Sequence, residues 1–278
     1  MPLDHQLTNA ILPLPDIANL IIFTDLDGTL LDHETYSYTE ALPALARLRE
    51  LKIPLVLASS KTAAEIIPLR QELGFSHCQA IVENGSGILE GETDTTQSGD
   101  KYQSILLALN ALPPALRSQY EGFSDWSAEE VSERTGLSIE QAVRAKQRRF
   151  SEPGLWLGTD ASRDEFITAL KADGFTVLQG GRFMTLSFGG NKAERMVEII
   201  RQHASGSGHQ AISVALGDAG NDVAMIEQAD LGVIIPNPAH GGIPPLAGEA
   251  TGQVIRATQA GPRGWNETIM SLLQAAAK

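Results

Sequence analysis

Continuous apolar runs of strand length recur along the chain, with room for a helix between neighbours. They are LIIF at Leu20–Phe23, PLVLA ending at Ala58, AIV at Ala80–Val82, ISVAL at Ile212–Leu216 and GVII at Gly232–Ile235. Runs that do not alternate apolar with polar suit parallel strands buried on both faces. Between the first two, Leu42, Leu45, Leu48 and Leu51 recur near the helical repeat. Between the second and third, Thr62 and Glu65 form a capping-box pattern before Ile66, Leu69 and Leu73, with a stop at Gly74. Pro68 inside that segment predicts a kink or a late helix start. Strand and helix in alternation predict an α/β fold, a Rossmann-like doubly wound parallel sheet.

After Glu83 the texture changes. The stretch GETDTTQSGD is polar and rich in turn formers, and helix starts follow at Ser127 with Glu130, Ser138 with Gln141 and Ser162 with Glu165. Gly136 and Gly174 mark stops. FTVLQ and RFMTLSF flank Gly180-Gly181, which predicts a hairpin with a two-residue loop. We therefore expect an α+β domain over 85–186 inserted into a core of 19–84 and 187–278, after an N-terminal extension of 1–18. The last helix is expected near Trp265–Ala277. No internal repeat or low-complexity tract breaks this organisation.

Composition narrows the function classes. Of 278 residues, 21 are Lys or Arg and 34 Asp or Glu, a net charge of −13 that opposes nucleic acid as a partner. No apolar stretch approaches the roughly 20 residues that span a bilayer, so no membrane partner is expected. The first twenty residues lack the basic start of a signal peptide. Cys78 is the single cysteine, so no internal disulfide forms, and a cytoplasmic protein, monomer or homodimer, is expected. The same charge means that an anionic substrate needs a local exception.

Four elements carry chemistry. FTDLDGTLLD, Phe23–Asp32, stands at the C-terminal end of the first predicted strand, where open α/β sheets bind ligands. Asp25 and Asp27 there, offering only oxygen, favour Mg²⁺ between them, and Gly28 permits a tight turn beside an anion. ASSKT ends the next strand, offering the Ser59 hydroxyl and a helix start at Thr62 to phosphoryl oxygens. Lys192 opens a helix in GGNKAERM, and LGDAGNDVAMI supplies Asp218 and Asp222 around a glycine turn.

In this order the elements resemble the four motifs of the haloacid dehalogenase superfamily of phosphohydrolases. The resemblance implies that Asp25 is the nucleophile, forming an aspartyl phosphate, and that Asp27 protonates the leaving oxygen and then activates water. It implies Mg²⁺ held by the Asp25 carboxylate, the Asp27 carbonyl and Asp218, with Asn221 and Asp222 supporting the metal. Ser59 and Lys192 would hold the phosphoryl oxygens. The insert of about a hundred residues resembles the Cof-type subclass. Within it, SSKT, IVENGSGI, RRFSEPGLW and GGRFMTLSFGGNKAERM resemble the mannosyl-3-phosphoglycerate phosphatases. Relatives usually carry a charged residue and Lys-Gly where this chain has GGNK, which alters the turn at Lys192. Intact Asp25, Asp27, Lys192 and Asp218 oppose a non-catalytic binding protein, and a broader sugar-phosphate phosphatase is the nearer alternative.

Such a substrate carries a carboxylate besides its phosphate. Arg144, Lys146, Arg148 and Arg149 are the densest positive segment, and all but Arg149 are expected to be a solvated helix face. Arg149 or Arg182, at the start of a hairpin strand, is expected to read the carboxylate. Glu152 is expected to accept sugar hydroxyls, with Lys61 facing the pocket, Asn84 bonding the substrate or holding the linker, and Gly85 supplying a hinge φ angle.

Overall fold

The computed structural model describes residues 17–91, 99–180, 182–207 and 211–275. Its elements begin with β1 (Leu20–Thr24), α1 (Leu42–Glu50), β2 (Leu55–Ala58), α2 (Ala63–Leu73), β3 (Ala80–Val82) and β4 (Gly87–Leu89). There follow α3 (Gly99–Ala111), α4 (Pro114–Arg117), β5 (Tyr120–Gly122), α5 (Ala128–Thr135), α6 (Ile139–Ala145) and β6 (Ser151–Trp156). Then come α7 (Asp160–Ala172), β7 (Thr176–Gln179), β8 (Met184–Ser187), α8 (Lys192–Ser207), β9 (Ile212–Gly217), α9 (Val223–Gln228), β10 (Leu231–Ile234), β11 (Val254–Arg256) and α10 (Gly261–Ala275). Residue contacts divide the chain into two compact units, one built on the segments up to Leu55 and from Ile200 onward, the other on Val56–Ile199.

In the first unit, β11, β10, β9 and β1 are parallel neighbours in that order. Every residue of β1 is buried, as its unbroken apolar run requires. α10 buries Trp265, Ile269, Leu272 and Leu273, one helical face. It also serves its neighbours through hydrogen bonds. Asn266 Oδ1 accepts from the Ala44 N–H at 2.9 Å, satisfying a donor in the first turn of α1. The fully buried Trp265 donates Nε1–H to Thr24 Oγ1 at 3.0 Å, and that hydroxyl donates to the Asp25 carbonyl at 2.7 Å.

In the second unit, β2 runs parallel to β3, which turns back into antiparallel β4. A separate antiparallel sheet has the order β5-β6-β8-β7. It packs Tyr120, Met184 and Leu186 with Ile105 and Leu109 of α3 and Phe166 and Leu170 of α7. Phe123, Trp126 and Phe183 gather on Val131, Ala142 and Ala145 of α5 and α6. This is the expected combination of a doubly wound parallel α/β arrangement with α+β elements. Among the described residues, no helix is long and apolar enough to cross a membrane.

Local expectations meet the structure unevenly. Thr62 with Glu65, Ser127 with Glu130 and Ser138 with Gln141 all form capping boxes, and Gly74 and Gly136 end their helices in the left-handed region. α2 runs from Ala63 through Pro68, so the late start does not occur. α7 begins earlier than expected, because Thr159 takes the cap and accepts from the Ser162 N–H. Gln179 pairs with Met184, so the hairpin loop is Gly180–Phe183, closed by Gly180 N–H to the Phe183 carbonyl, rather than two residues. Gly181 lies outside the described residues, as do 1–16 of the expected extension and 276–277 of the last helix.

Trp265→Phe keeps most of the packing but removes the donor to Thr24, and is expected to cost about 1 kcal/mol. Trp265→Ala should cost about 3–5 kcal/mol. Urea unfolding of the two variants against the parent checks the difference.

Candidate active site

In the first unit the acidic residues leave the ends of adjacent strands. β1 and β9 pair in parallel with Thr24 opposite Leu216, and the Asp25 N–H donates to the Leu216 carbonyl at 2.9 Å. Asp25 and Asp218 therefore emerge side by side. One carboxylate oxygen from each of Asp25, Asp218 and Asp222 lies within 4.8 Å of the other two, and all three residues are buried. At an effective dielectric of 20, two charges about 4 Å apart repel by about 4 kcal/mol. Three oxygen donors so close, with little water, fit a small hard divalent cation.

Hydrogen bonds orient Asp218 and Asp222. Thr29 Oγ1 donates to Asp218 Oδ1 at 2.9 Å, Asn237 Nδ2 donates to Asp218 Oδ2 at 2.8 Å, and His240 Nε2 lies 2.9 Å from the same oxygen. Asp222 Oδ2 accepts from the N–H groups of Asp218 and Ala219 at 3.2 and 3.1 Å. The packing needs two glycines. A Cβ on Gly217 would lie 2.4 Å from Asp222 Cβ, and one on Gly28, whose φ is +87°, would lie 2.1 Å from Asn237 Nδ2. Asp27 sits half-buried in the turn that Gly28 closes by donating to the Leu31 carbonyl. Asn221 is exposed one residue before Asp222.

Asn237 and His240 were not singled out from the sequence, and Thr29 was read only as part of its motif, with no role of its own. Thr29 stands inside the DGT motif. Asn237 follows the end of β10, where the strand-end rule that located Asp25 would also have pointed. His240, in the irregular PNPAHGG stretch, carries no local signal.

The second unit holds the remaining residues. Ser59 is buried at the end of β2, donates its N–H to the Ile81 carbonyl, and accepts the Lys61 N–H on Oγ at 3.2 Å. Lys61 is half-buried in the same loop. Lys192, first residue of α8, is only 1% exposed, so it is not the surface lysine that a single Lys usually is.

Three successive residues after β3 have positive φ: Glu83 at +50°, Asn84 at +59° and Gly85 at +91°. For Glu83 this costs about 1–2 kcal/mol, whereas asparagine, as at Asn84, enters this region more readily. The Glu83 N–H donates to the Lys61 carbonyl and the Asn84 N–H to the Ser59 carbonyl, both at 2.9 Å, which wraps the turn around the Ser59 loop. Gly85 has the conformation expected of it, and a Cβ there would lie 2.2 Å from the Asn191 carbonyl carbon. The GGNK turn meets it: Gly189 and Gly190 have φ of +87° and +93°, and Arg195 donates Nε–H to the Gly85 carbonyl at 3.0 Å.

The basic segment departs from a solvated helix face. Arg144 does pair with Glu140 at the surface. Lys146 instead donates Nζ–H to the carbonyls of Phe123 and Trp126, and the Arg148 side chain, 8% exposed, lies 3.3 Å from the Glu83 carboxylate. Arg149 is half-buried in the turn before β6. Arg182 lies in the hairpin loop rather than at the start of a strand, is exposed, and donates to the Arg134 carbonyl. Glu152 is fully buried on β6, accepting from the Ser124 N–H and hydroxyl on Oε1 and from the Tyr102 hydroxyl on Oε2. Burial pushes its carboxyl above the usual range, against the opposing pull of the Ser124 and Tyr102 bonds. Burial, with the Glu152 charge, raises the Tyr102 hydroxyl as well.

A family model described as haloacid dehalogenase-like hydrolase matches residues 22–110. A glucosyl-3-phosphoglycerate/mannosyl-3-phosphoglycerate phosphatase of Persephonella marina is 32% identical over 271 residues, covering 91% of this chain and 97% of its own. Two solved structures share the fold. The sucrose-phosphatase of Synechocystis sp. PCC6803, in complex with sucrose and phosphate, matches with a TM-score of 0.55 at 18% identity, over 91% of this chain and 98% of its own. A haloacid dehalogenase-like hydrolase from Bacteroides thetaiotaomicron matches with a TM-score of 0.60 at 18% identity, over 91% and 99%.

Asn237→Ala removes one of the two side chains that meet Asp218 Oδ2 and is expected to weaken Mg²⁺ binding about tenfold or more, read by titration calorimetry. Glu152 makes a second prediction. A carboxyl raised in the folded state favours folding below its ordinary value of 4.5 and loses that contribution as pH rises from there through the raised value. Glu152→Gln should lack this decline, so the difference in unfolding free energy between parent and variant should change with pH over that window.

Proposed function

The chain belongs to the haloacid dehalogenase-like hydrolases and is a phosphatase, and from that premise we propose that it hydrolyses mannosyl-3-phosphoglycerate to mannosylglycerate and phosphate, in the cytoplasm. The observation that carries the reaction type is the buried trio of Asp25, Asp218 and Asp222. The sugar-glycerate substrate is supported by the relative named above, whose name includes both the glucosyl and the mannosyl compound.

When bound by Asp25, Asp218 and the Asp27 carbonyl, Mg²⁺ would neutralise phosphoryl oxygens and the nucleophile together. Asp222 would support that set by holding the backbone before it through its bonds to the Asp218 and Ala219 amides, with Asn221 beside it. The Asp25 carboxylate attacks phosphorus, the P–O bond to the glycerate oxygen breaks, and an aspartyl phosphate forms. Asp27 gives its proton to the departing oxygen, then takes one from the water that cleaves the acyl phosphate. Ser59 and Lys192 stabilise the charge that spreads over the phosphoryl oxygens. Asp25 is well suited to a fixed attack position, since its N–H is bonded to Leu216 and its carbonyl to Thr24, itself held by Trp265.

The elements over 85–186 would act as a cap that selects the substrate. Arg149 is the preferred reader of the glycerate carboxylate, with Lys61 and Asn84 near the phosphate end and Arg182 the alternative reader. Glu152, which accepts three hydrogen bonds from Ser124 and Tyr102, is proposed to shape the sugar site by fixing those two residues rather than by meeting hydroxyls itself.

Asp25→Asn is expected to lower phosphate release by about 10³-fold or more, while Mg²⁺ still binds. A phosphate-release panel of mannosyl-3-phosphoglycerate, glucosyl-3-phosphoglycerate, 3-phosphoglycerate, sucrose 6-phosphate and mannose 6-phosphate tests the substrate. Preference for the first two supports the proposal, and equal rates across the panel would replace it with a broad sugar-phosphate phosphatase.

A further inference from the structure

Glu83 has no part in the chemistry proposed above, yet its side chain is completely enclosed. Its carboxylate grips the segment that leads into β6. Oε1 accepts from the Arg149 N–H at 2.8 Å, and Oε2 accepts from the Phe150 N–H at 3.1 Å and the Ser151 hydroxyl at 2.7 Å. Arg148 Nε lies 3.3 Å from Oε2, and the same guanidinium donates to the Ser151 carbonyl and hydroxyl. One side chain thus gathers four consecutive residues, 148–151.

The other end of Glu83 is tied just as firmly. Its N–H bonds the Lys61 carbonyl and the next N–H bonds the Ser59 carbonyl. Two successive non-glycine residues adopt positive φ to make this possible. Sustained backbone strain of this kind marks positions whose geometry is over-determined by their surroundings. A purely structural fastening needs neither the strain nor a buried ion pair, which apolar packing of the same volume generally matches in stability.

We propose that Glu83 is a positioning residue for substrate selection: it sets the span between the Ser59–Lys61 loop and the backbone of Arg149. A phosphate ester that also bears a carboxylate needs anion-binding groups at both ends of a fixed distance. A phosphate with no second anion uses only one end and is indifferent to that span. The inference rests on the substrate reading above and deepens it.

The test compares mannosyl-3-phosphoglycerate with p-nitrophenyl phosphate, which has no carboxylate. Glu83→Gln keeps the volume but loses the charge and one acceptor. It is expected to raise KM for mannosyl-3-phosphoglycerate about tenfold with kcat changed less than about threefold, lowering the selectivity ratio accordingly. Ser151→Ala removes one of the bonds to Glu83 together with the Arg148 bond to the same hydroxyl, and should move the ratio the same way by about two- to threefold. Equal losses on both substrates would reduce Glu83 to a structural fastening and overturn the proposal, as would an unchanged ratio in both variants. If Glu83→Gln does not fold, the ratio in Ser151→Ala decides alone. Arg149→Ala separates the two levels. If it raises KM and the Glu83 and Ser151 variants do not, the inference fails and the substrate reading stands. If the parent enzyme shows no preference for the carboxylate-bearing ester, both fail.

Discussion

Three buried carboxylates converging within 4.8 Å set the terms for the first unit. Their mutual repulsion, about 4 kcal/mol for each pair near 4 Å at an effective dielectric of 20, is a standing cost. The fold surrounds Asp218 and Asp222 with hydrogen-bonding groups: the Thr29 hydroxyl, the Asn237 amide, the His240 ring and two backbone amides. These orient the oxygens toward one another, which leaves the site matched to a divalent cation. Gly28 and Gly217 follow from that requirement, since each stands where a methyl group would displace one of these donors or acceptors.

The second unit solves a different problem. It buries the Lys192 side chain and builds a strained turn at Glu83–Gly85 against two glycines of the GGNK turn. Gly190 stands where a Cβ would lie 2.7 Å from the Gly85 carbonyl oxygen, so this approach of backbone to backbone leaves no room for a side chain.

Much of this was legible in sequence because strand-end position and residue type coincide there. The runs before Asp25, Ser59 and Asp218 are long, apolar and unbroken, so their C-terminal ends could be located and the chemistry read directly from the residues that follow. Helix starts at Thr62, Ser127 and Ser138 were equally clear, because a capping box is a local interaction, whereas the same pattern at Ser162 with Glu165 misled because Thr159 takes that cap. What escaped depends on long-range contact. Arg148 read as a surface residue because its partner, Glu83, is far away in sequence, and only the fold brings them within 3.3 Å. His240 reached Asp218 from a loop with no periodicity. The hairpin loop was misjudged because Gly-Gly is a turn signal without a register, and the pairing of Gln179 with Met184 is decided by the packing of β8 against β6.

The account stands on the claim that the carboxylate trio is built for one divalent cation. If so, the unfolding free energy of the parent protein must rise with Mg²⁺ concentration as expected for a single site, by about 2.7 kcal/mol when free Mg²⁺ reaches a hundred times its dissociation constant. A stability that does not change from chelator to millimolar Mg²⁺ would contradict it.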